Sequence, residues 1–503
     1  METLYRDLRF ACRSLIRKPG FTAAAAICAA LGIGLATTIF SAFYAIVARP
    51  FPVGDPAGIA ALVATNVDRG IDLGDLSYED FRQVREQSSS FDSIAGYNET
   101  SLTVDAGNEP ERLAGVVVSA ELFDVLDVIP DRGRTFRTDD DRPGAAGTVV
   151  LAHGLWSRRF GAAPEAIGTT IQIDDQPHQI IGVMPEGFAF PNQAQLWIPL
   201  APRWHDSQRE QREIDVVGRL RDGVGTESAS REIEAIGSRL ETQFPDTHDG
   251  WGLAAIELRD LFVSDGMRTI SFTLLGAALF VLLIACANIG NLVLARAAAR
   301  NQEISIRAAM GAAPGRVASQ LLVESLVLAA MGGVLGTLVA FIGVRGLVTL
   351  FPASNPIPYW MEFSLDLPVL LFAATITLFT GLLAGLAPAL QARRLDLVRL
   401  LNGTSRGSSA GRGRLRAALV IAEVALSAIL LICGALFVRS FFAIEKIDSG
   451  FDEARTVAWR MHLSGDRYDD EGTRRQSIET LLSELRATSG IESAHASPLI
   501  PLA

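Results

Sequence analysis

Five stretches of this sequence are long and apolar enough to cross a lipid bilayer, and their spacing constrains the fold more than anything else in the chain. They run over residues 21–47, 270–294, 317–344, 367–390 and 417–438. A helix crossing the hydrocarbon core needs about 20 mostly apolar residues, and each stretch reaches that length. A polar block of more than two hundred residues separates the first stretch from the second, while the later connections are short. The pattern predicts an α-helical integral membrane protein of about five transmembrane helices. A large mixed α/β extracytoplasmic domain lies between helices 1 and 2.

The arginines set the expected orientation. Arg6, Arg9, Arg13, Arg17 and Lys18 precede the first helix, and Arg296, Arg300, Arg307 and Arg316 lie around the link between the second and third. Arg393, Arg394, Arg399, Arg406, Arg412, Arg414 and Arg416 fall between the fourth and fifth. Basic loops stay on the cytoplasmic side. The N-terminus is therefore expected in the cytoplasm and the large block outside a cell (inner) membrane. Residues 51–268 carry 37 acidic against 19 basic side chains, a net of −18, while the whole chain is only −11. The remainder, about +7, is the part that meets membrane and cytoplasm.

The chain divides accordingly. A basic cytoplasmic N-terminus occupies 1–20, helix 1 occupies 21–47 and the extracytoplasmic domain 48–268. A core of helices 2–4 covers 270–392, a basic cytoplasmic loop 393–416 and helix 5 417–438. Residues 439–503 then face outward again. The first helix reads as an uncleaved anchor, because its apolar run of about 27 residues far exceeds the 7–15 of a signal-peptide core. Cys12, Cys28, Cys286 and Cys433 all lie outside the extracytoplasmic block, so no disulfide framework is available there. Only Lys18 and Lys446 of the 45 basic residues are lysines, a pattern of genome composition.

Within the block, residues 148–153 (TVVLAH) read as a buried strand and 155–160 as a helix. Residues 169–174 and 178–183 alternate and meet at a hairpin-like turn over Asp174, Asp175, Gln176 and Pro177. Residues 78–87 have helical spacing, 113–118 are strand-like, and 225–244 form an amphipathic helix with Ile233, Ile236 and Leu240 on one face.

These residues resemble a family. VVLAHGLWSRRFGAAPEAIGTTIQIDDQPHQIIGVMPEGFAFP is similar to the ectodomain of MacB-type ABC transporter permeases. RSLIRKPGFT leading into LGIGLATTIFSAFYAIVARPFP resembles their entry and first helix. VLLIACANIGNLVLARAAARNQEISIRAAMGAAPGRVASQLLVESLVLAAMGGVLG resembles the FtsX-like permease core. TGLLAGLAPALQARRLDLVRLLNG, with the basic loop and fifth helix after it, points to the duplicated orphan permease group, in which the helix–ectodomain–three-helix unit occurs twice. The resemblance makes 48–268 a MacB-like periplasmic core domain and 270–392 an FtsX-like permease core. It also implies that most of a second half is missing, so this chain is either a truncated product or a half that works alone. The family often has Asn shortly after LGIG, where this chain has Ala36.

No P-loop is present, since a G-x-x-x-x-G-K-[ST] motif needs a lysine and neither lysine has that context. ATP, if used, is expected on a separate P-loop ATPase. His153, His178, His205, His248, His462 and His495 show no metal-ligand spacing, and no carboxylate pair stands out as catalytic. No catalytic residue, cofactor, metal or nucleic-acid partner is expected. The chain reads as a non-enzyme surrounded by membrane lipid.

Residues 302–317 (QEISIRAAMGAAPGRV) carry the sharpest positive signal. The segment reads as a short cytoplasmic helix on which Ile304, Ala308 and Met310 or Gly311 supply an apolar ridge. Glu303 and Arg307 stand at i,i+4. By resemblance it is the coupling helix, with Glu303, Ile304, Ile306, Arg307, Met310 and Gly311 docking on the ATPase. Asn288, Asn291 and Glu324 are intramembrane polar residues, which are functional candidates by default. By resemblance Glu324 matches a family position near the cytoplasmic boundary, where it either hydrogen-bonds toward Asn288 or Asn291 or, as expected for Glu423, reaches headgroups and water. The pairs Gly332/Gly336 and Gly381/Gly385 allow close helix packing, within the protomer or across a homodimer or second permease half. Two functions follow. One is a permease or mechanotransmission subunit of an ABC-type system, driving efflux or extraction of a substrate. The other is an FtsX-like non-transporting regulator of an extracytoplasmic hydrolase or sensor kinase.

Overall fold

A computed structural model of the chain describes all residues except Met1, 106–109, 205–208, 300–313, 352–356, 394–408, 446–455, 458–470 and 497–503. In chain order it begins with α1 (Glu2–Ile16), α2 (Pro19–Phe43), β1 (Ile59–Asn66), β2 (Ile71–Gly74), β3 (Leu76–Ser77) and α3 (Tyr78–Gln87). There follow β4 (Phe91–Asp105), β5 (Glu111–Val118), β6 (Arg132–Gly133), β7 (Thr148–Leu151), α4 (His153–Phe160), β8 (Thr170–Ile173) and β9 (Gln176–Val183). Then come β10 (Leu196–Pro199), β11 (Arg212–Leu220), α5 (Thr226–Gln243) and β12 (Gly252–Glu257). The last elements are α6 (Asp265–Ala299), α7 (Pro314–Val348), α8 (Leu367–Arg393), α9 (Ser409–Glu445) and α10 (Glu471–Ala487). Two compact units result. One is Met1–Arg49, Val263–Ile357 and Met361–Glu445; the other is Pro50–Phe262, Pro358–Trp360 and Lys446–Ala503.

In the first unit, α2, α6, α7, α8 and α9 are long and apolar enough to span a membrane. Lipid supplies no hydrophobic drive for helices to associate, so close packing of small residues must hold them. A Cβ added to Gly332 of α7 would stand 2.2 Å from Ala29 Cβ of α2, and one on Gly336 would stand 3.1 Å from Ile33. Gly381 and Gly385 of α8 lie as tightly against Leu326, Ala329 and Ser325 of α7. Both glycine pairs thus pack within the protomer. Ala25, Ala29, Ile33 and Ala36 of α2 form a buried seam with Ala278, Leu282 and Cys286 of α6. Thr37 and Thr38 return their hydroxyls to the carbonyls of Ile33 (2.7 Å) and Gly34 (2.9 Å), which satisfies them inside an apolar helix. At the far end of α2, Arg49 pairs with Glu362 and lies 3.6 Å from Asp366.

The second unit is built on one mixed twelve-stranded sheet in the order β12-β1-β11-β4-β5-β10-β7-β9-β6. The pairs β5–β10 and β7–β9 are parallel, and the other neighbours are antiparallel. Leu196 and Ile198 of β10 face a core shared with Phe81 and Val84 of α3, Leu155 of α4 and Ile233, Ile236 and Leu240 of α5. Alternation turns Trp197 the other way. There it meets Phe123 and Phe188 at 5.7 and 5.5 Å between ring centres, and its indole N–H donates to the Phe190 carbonyl. A sheet covered on both faces explains why β7 and β10 are buried at every position rather than alternating.

Local chemistry fixes the element ends. Ser77 caps α3 by accepting the Asp80 backbone N–H at 3.1 Å, with Glu79 and Asp80 in the first turn where the helix dipole favours them. Gly161 closes α4 in the left-handed region at φ 61°. Asp174 and Asp175, with φ of 48° and 65°, are the two central residues joining β8 to β9. That is the twist-matched hairpin turn, and aspartate tolerates its left-handed backbone.

Candidate functional site

The segment 302–313, with Glu303, Ile304, Ile306, Arg307, Met310 and Gly311, lies outside the described residues. Its two flanks are described. Near the end of α6, Arg296 is buried at 8% exposure. Its guanidinium donates to the carbonyl (3.0 Å) and hydroxyl (2.6 Å) of Ser14 and lies 4.7 Å from the centre of the Phe21 ring. At the start of α7, Arg316 donates to Asp7 at 2.8 Å. Ser14 and Asp7 both belong to α1. One amphipathic helix is therefore fastened to both ends of the connection that contains 300–313.

Helix α1 makes these contacts because Asp7, Ala11, Ser14 and Leu15, all buried, recur at helical spacing along one side. Read for charge alone, residues 1–20 show only a basic tail. The apolar and small residues at i, i+4 and i+8 among the arginines are the signal that reveals a packed helix.

The intramembrane polar residues lie on α6, α7 and α9. Glu324 of α7 is buried at 7% exposure, and the adjoining Ser325 returns its hydroxyl to the Leu321 carbonyl at 3.0 Å. Asn288 and Asn291 are half-buried on α6, and Glu423 is half-buried on α9. The Asn291 amide oxygen is buried and accepts no hydrogen bond among the described residues.

In the second unit the charged groups serve as fasteners. Asp80, wholly buried, receives Arg209 at 2.5 Å and Arg212 at 3.0 Å, with His248 Nε2 3.1 Å away. Burial would raise its pKa, but the bonds from His248 and Ser77 and the charge of Arg212 outweigh burial and lower it. Glu232 of α5 takes four hydrogen bonds from the Ser88–Ser90 loop, including the backbone N–H groups of Ser89 (2.8 Å) and Ser90 (2.9 Å). These overcome desolvation and hold its pKa at about 2. Asp215 of β11 is the opposite case, raised by burial and by the neighbouring Asp75 and Glu99. Among the described residues no group of three or more His, Cys, Asp or Glu could hold a metal ion.

Residues Pro358–Trp360, drawn from the link between α7 and α8, fold with the second unit. The Tyr359 backbone N–H donates to the Asn192 carbonyl at 2.9 Å, and Trp360 stacks on Phe51 at 5.0 Å.

An apolar helical unit that carries a mixed α/β domain between its first and second membrane helices defines a membrane protein with an extracytoplasmic domain. Comparison with known families gives this class its name. Residues 22–236 match the MacB-like periplasmic core domain, and residues 275–397 match the FtsX-like permease C-terminal domain. The chain belongs to the MacB/FtsX-type ABC permeases.

Over 291 residues it is 31% identical to the probable syringafactin export ATP-binding/permease protein SyfD of Pseudomonas syringae, covering 56% of this chain and 41% of that protein. Over 394 residues it is 26% identical to the macrolide export ATP-binding/permease protein MacB of Salmonella paratyphi A, covering 73% of this chain and 56% of that one. The chain thus spans about half the length of the curated relatives it matches. Among solved structures, the periplasmic region of MacB from Actinobacillus actinomycetemcomitans aligns at 17% identity and a TM-score of 0.33, over 45% of this chain and 96% of that one.

Proposed function

We propose that this chain is the permease of an ABC-type export system, moving its extracytoplasmic domain in response to ATP turnover on a separate P-loop ATPase. The observation that carries the reading is the order of its two matched domains along one set of membrane helices, together with its similarity to proteins named export ATP-binding/permease proteins. The 503 residues contain no P-loop, so in this reading the ATP site lies outside them. Residues 302–317 are the coupling element, with Glu303, Ile304, Ile306, Arg307, Met310 and Gly311 facing the ATPase. Helix α1, tied through Asp7 and Ser14 to Arg316 and Arg296, stiffens both ends of that element. Force on 302–317 then reaches α6 and α7 together.

The intramembrane groups suit such a lever better than a pore. Glu324, Asn288 and Asn291 are few among the apolar residues of these helices, which argues against a continuous hydrophilic channel. Substrate would be handled at the outer face by the ectodomain. The protomer would act as a homodimer or with a second permease half, in the manner of the duplicated orphan permease group.

The test is gentle detergent purification of the tagged, natively expressed protein, with mass spectrometry of what accompanies it. A P-loop ATPase should arrive in stoichiometric amount and be lost from Arg307→Glu and Met310→Asp variants that remain folded. An ATPase that still binds those variants normally would refute the coupling assignment. Capture of an extracytoplasmic hydrolase or sensor kinase without an ATPase would refute the export reading.

A further inference from the structure

Helix α1 has three lengthwise faces, and the bundle uses only one. Asp7, Ala11, Ser14 and Leu15 are the buried face. At 3.6 residues per turn the next sector is apolar and exposed. It holds Leu8 (41% exposed), Cys12, Tyr5 (68%) and Ile16 (77%). The sector after that is basic and exposed, holding Arg9, Arg13, Arg6 and, in the turn that follows the helix, Arg17. Helix α1 cannot roll to hide the apolar sector. The pairs Asp7–Arg316 and Ser14–Arg296 fix its rotation from both ends of the packed face.

An exposed apolar strip beside a strip of arginines is the pattern of a helix lying in a membrane interface. The chain path agrees. Only Arg17 and Lys18 separate α1 from α2, which opens the membrane span Pro19–Ala48, so α1 must lie close to a bilayer surface. The ectodomain follows α2, which puts α1 at the opposite leaflet. We propose that the outer surface of α1 is a docking site for anionic lipid headgroups of that leaflet. Tyr5, Leu8, Cys12 and Ile16 enter the boundary between headgroups and acyl chains, and Arg6, Arg9, Arg13 and Arg17 engage the phosphates. A sector with four arginines against the single acid Glu2 complements an anionic leaflet, whose surface charge draws in arginines close to it. Because α1 is fastened to both flanks of 300–313, the leaflet's composition would bear directly on that segment.

Cys12 is a native reporter for the site. In the full chain with Cys28, Cys286 and Cys433 changed to alanine, a spin label on Cys12 is read in nanodiscs of phosphatidylcholine alone and of phosphatidylcholine mixed with phosphatidylglycerol. The label should collide with dissolved oxygen more than with a water-soluble nickel chelate, and more so when phosphatidylglycerol is present. A label that meets the nickel chelate as freely as bulk water in both mixtures overturns the proposal. A label shielded from oxygen and nickel alike also overturns it, since a protein partner would then cover the face.

Native mass spectrometry of the otherwise unaltered protein gives a second readout that does not depend on labelling. Phosphatidylglycerol should be retained over phosphatidylcholine, and the preference should fall about tenfold in an Arg9→Gln, Arg13→Gln variant. Equal retention of the two lipids by the native chain contradicts the proposal.

Discussion

At the scale of single residues, the carboxylates of the extracytoplasmic domain behave in opposite ways, and acid or base should separate them. Asp80 is a wholly buried anion held by Arg209, Arg212 and His248. Removing it as Asp80→Ala leaves two guanidinium groups facing each other without their shared anion. Breaking a buried pair in this way costs about 3–5 kcal/mol. Thermal unfolding of the full-length protein in detergent should therefore show Asp80→Ala as the most damaging of the substitutions considered in this domain. Because its pKa is lowered on folding, its stabilisation is present above the ordinary carboxylate range and is lost as pH falls through the lowered value.

Glu232 follows the same sign over a wider window. Its folded pKa of about 2 lies below the ordinary value of 4.5, so its contribution should fade between those two values as acid is added. Since water screens this partly exposed group, Glu232→Ala should cost about 1–2 kcal/mol at neutral pH. The difference from the native protein should vanish near the lower limit. Asp215 has the opposite sign. Its pKa is raised on folding, so ionising it as pH rises through that value removes stability. Asp215→Asn should be more stable than the native protein in mild base and equal to it in acid; a variant less stable at every pH would contradict the assignment. None of these roles was visible in sequence. Asp80, Arg209, Arg212 and His248 come from separate elements, and only the fold brings them together.

At the scale of elements, legibility follows periodicity. Strand β7, helices α3 and α5 and the β8–β9 hairpin all carry their burial pattern in a short window, and the sequence placed them to within a few residues. The fifteen-residue β4 was not legible. Its first half pairs with β11 and its second with β5 and β8, so its side chains answer to different neighbours along its length. Helix α1 was hidden for another reason, because its arginines masked the apolar period between them.

The glycines of α7 make the element-scale prediction. Gly332→Leu would place a bulky side chain where even a Cβ meets Ala29 at 2.2 Å. The α2–α7 contact must then open, and the variant should lose melting temperature and yield from membranes. The same substitution at Gly346, where a Cβ meets nothing within 4 Å, should be tolerated. Equal behaviour of the two variants would contradict the packing described for α2 and α7.

At the scale of the whole molecule, the five helices and the intervening domain were legible because bilayer thickness sets a length that few other constraints imitate. The coupling role of 302–317 is a proposal that rests on its family motif alone; no charge or periodicity argument distinguishes that segment from a surface helix. What the sequence withheld was its mechanical setting, the attachment of α1 to Arg296 and Arg316. That attachment makes a further prediction. On the proposed permease reading, removing both side-chain anchors, with Asp7→Ala and Ser14→Ala together, should leave ATPase binding intact but weaken the coupling of ATP turnover to export.

The most direct measurement is hydrogen–deuterium exchange on the complete complex with its ATPase, with and without ATP and vanadate. The account predicts that exchange changes within Pro50–Phe262, across the membrane from the bound nucleotide, as well as on the described flanks at Arg296 and Arg316. A change confined to the ATPase and the segment it touches, with the extracytoplasmic domain unaltered, would contradict it.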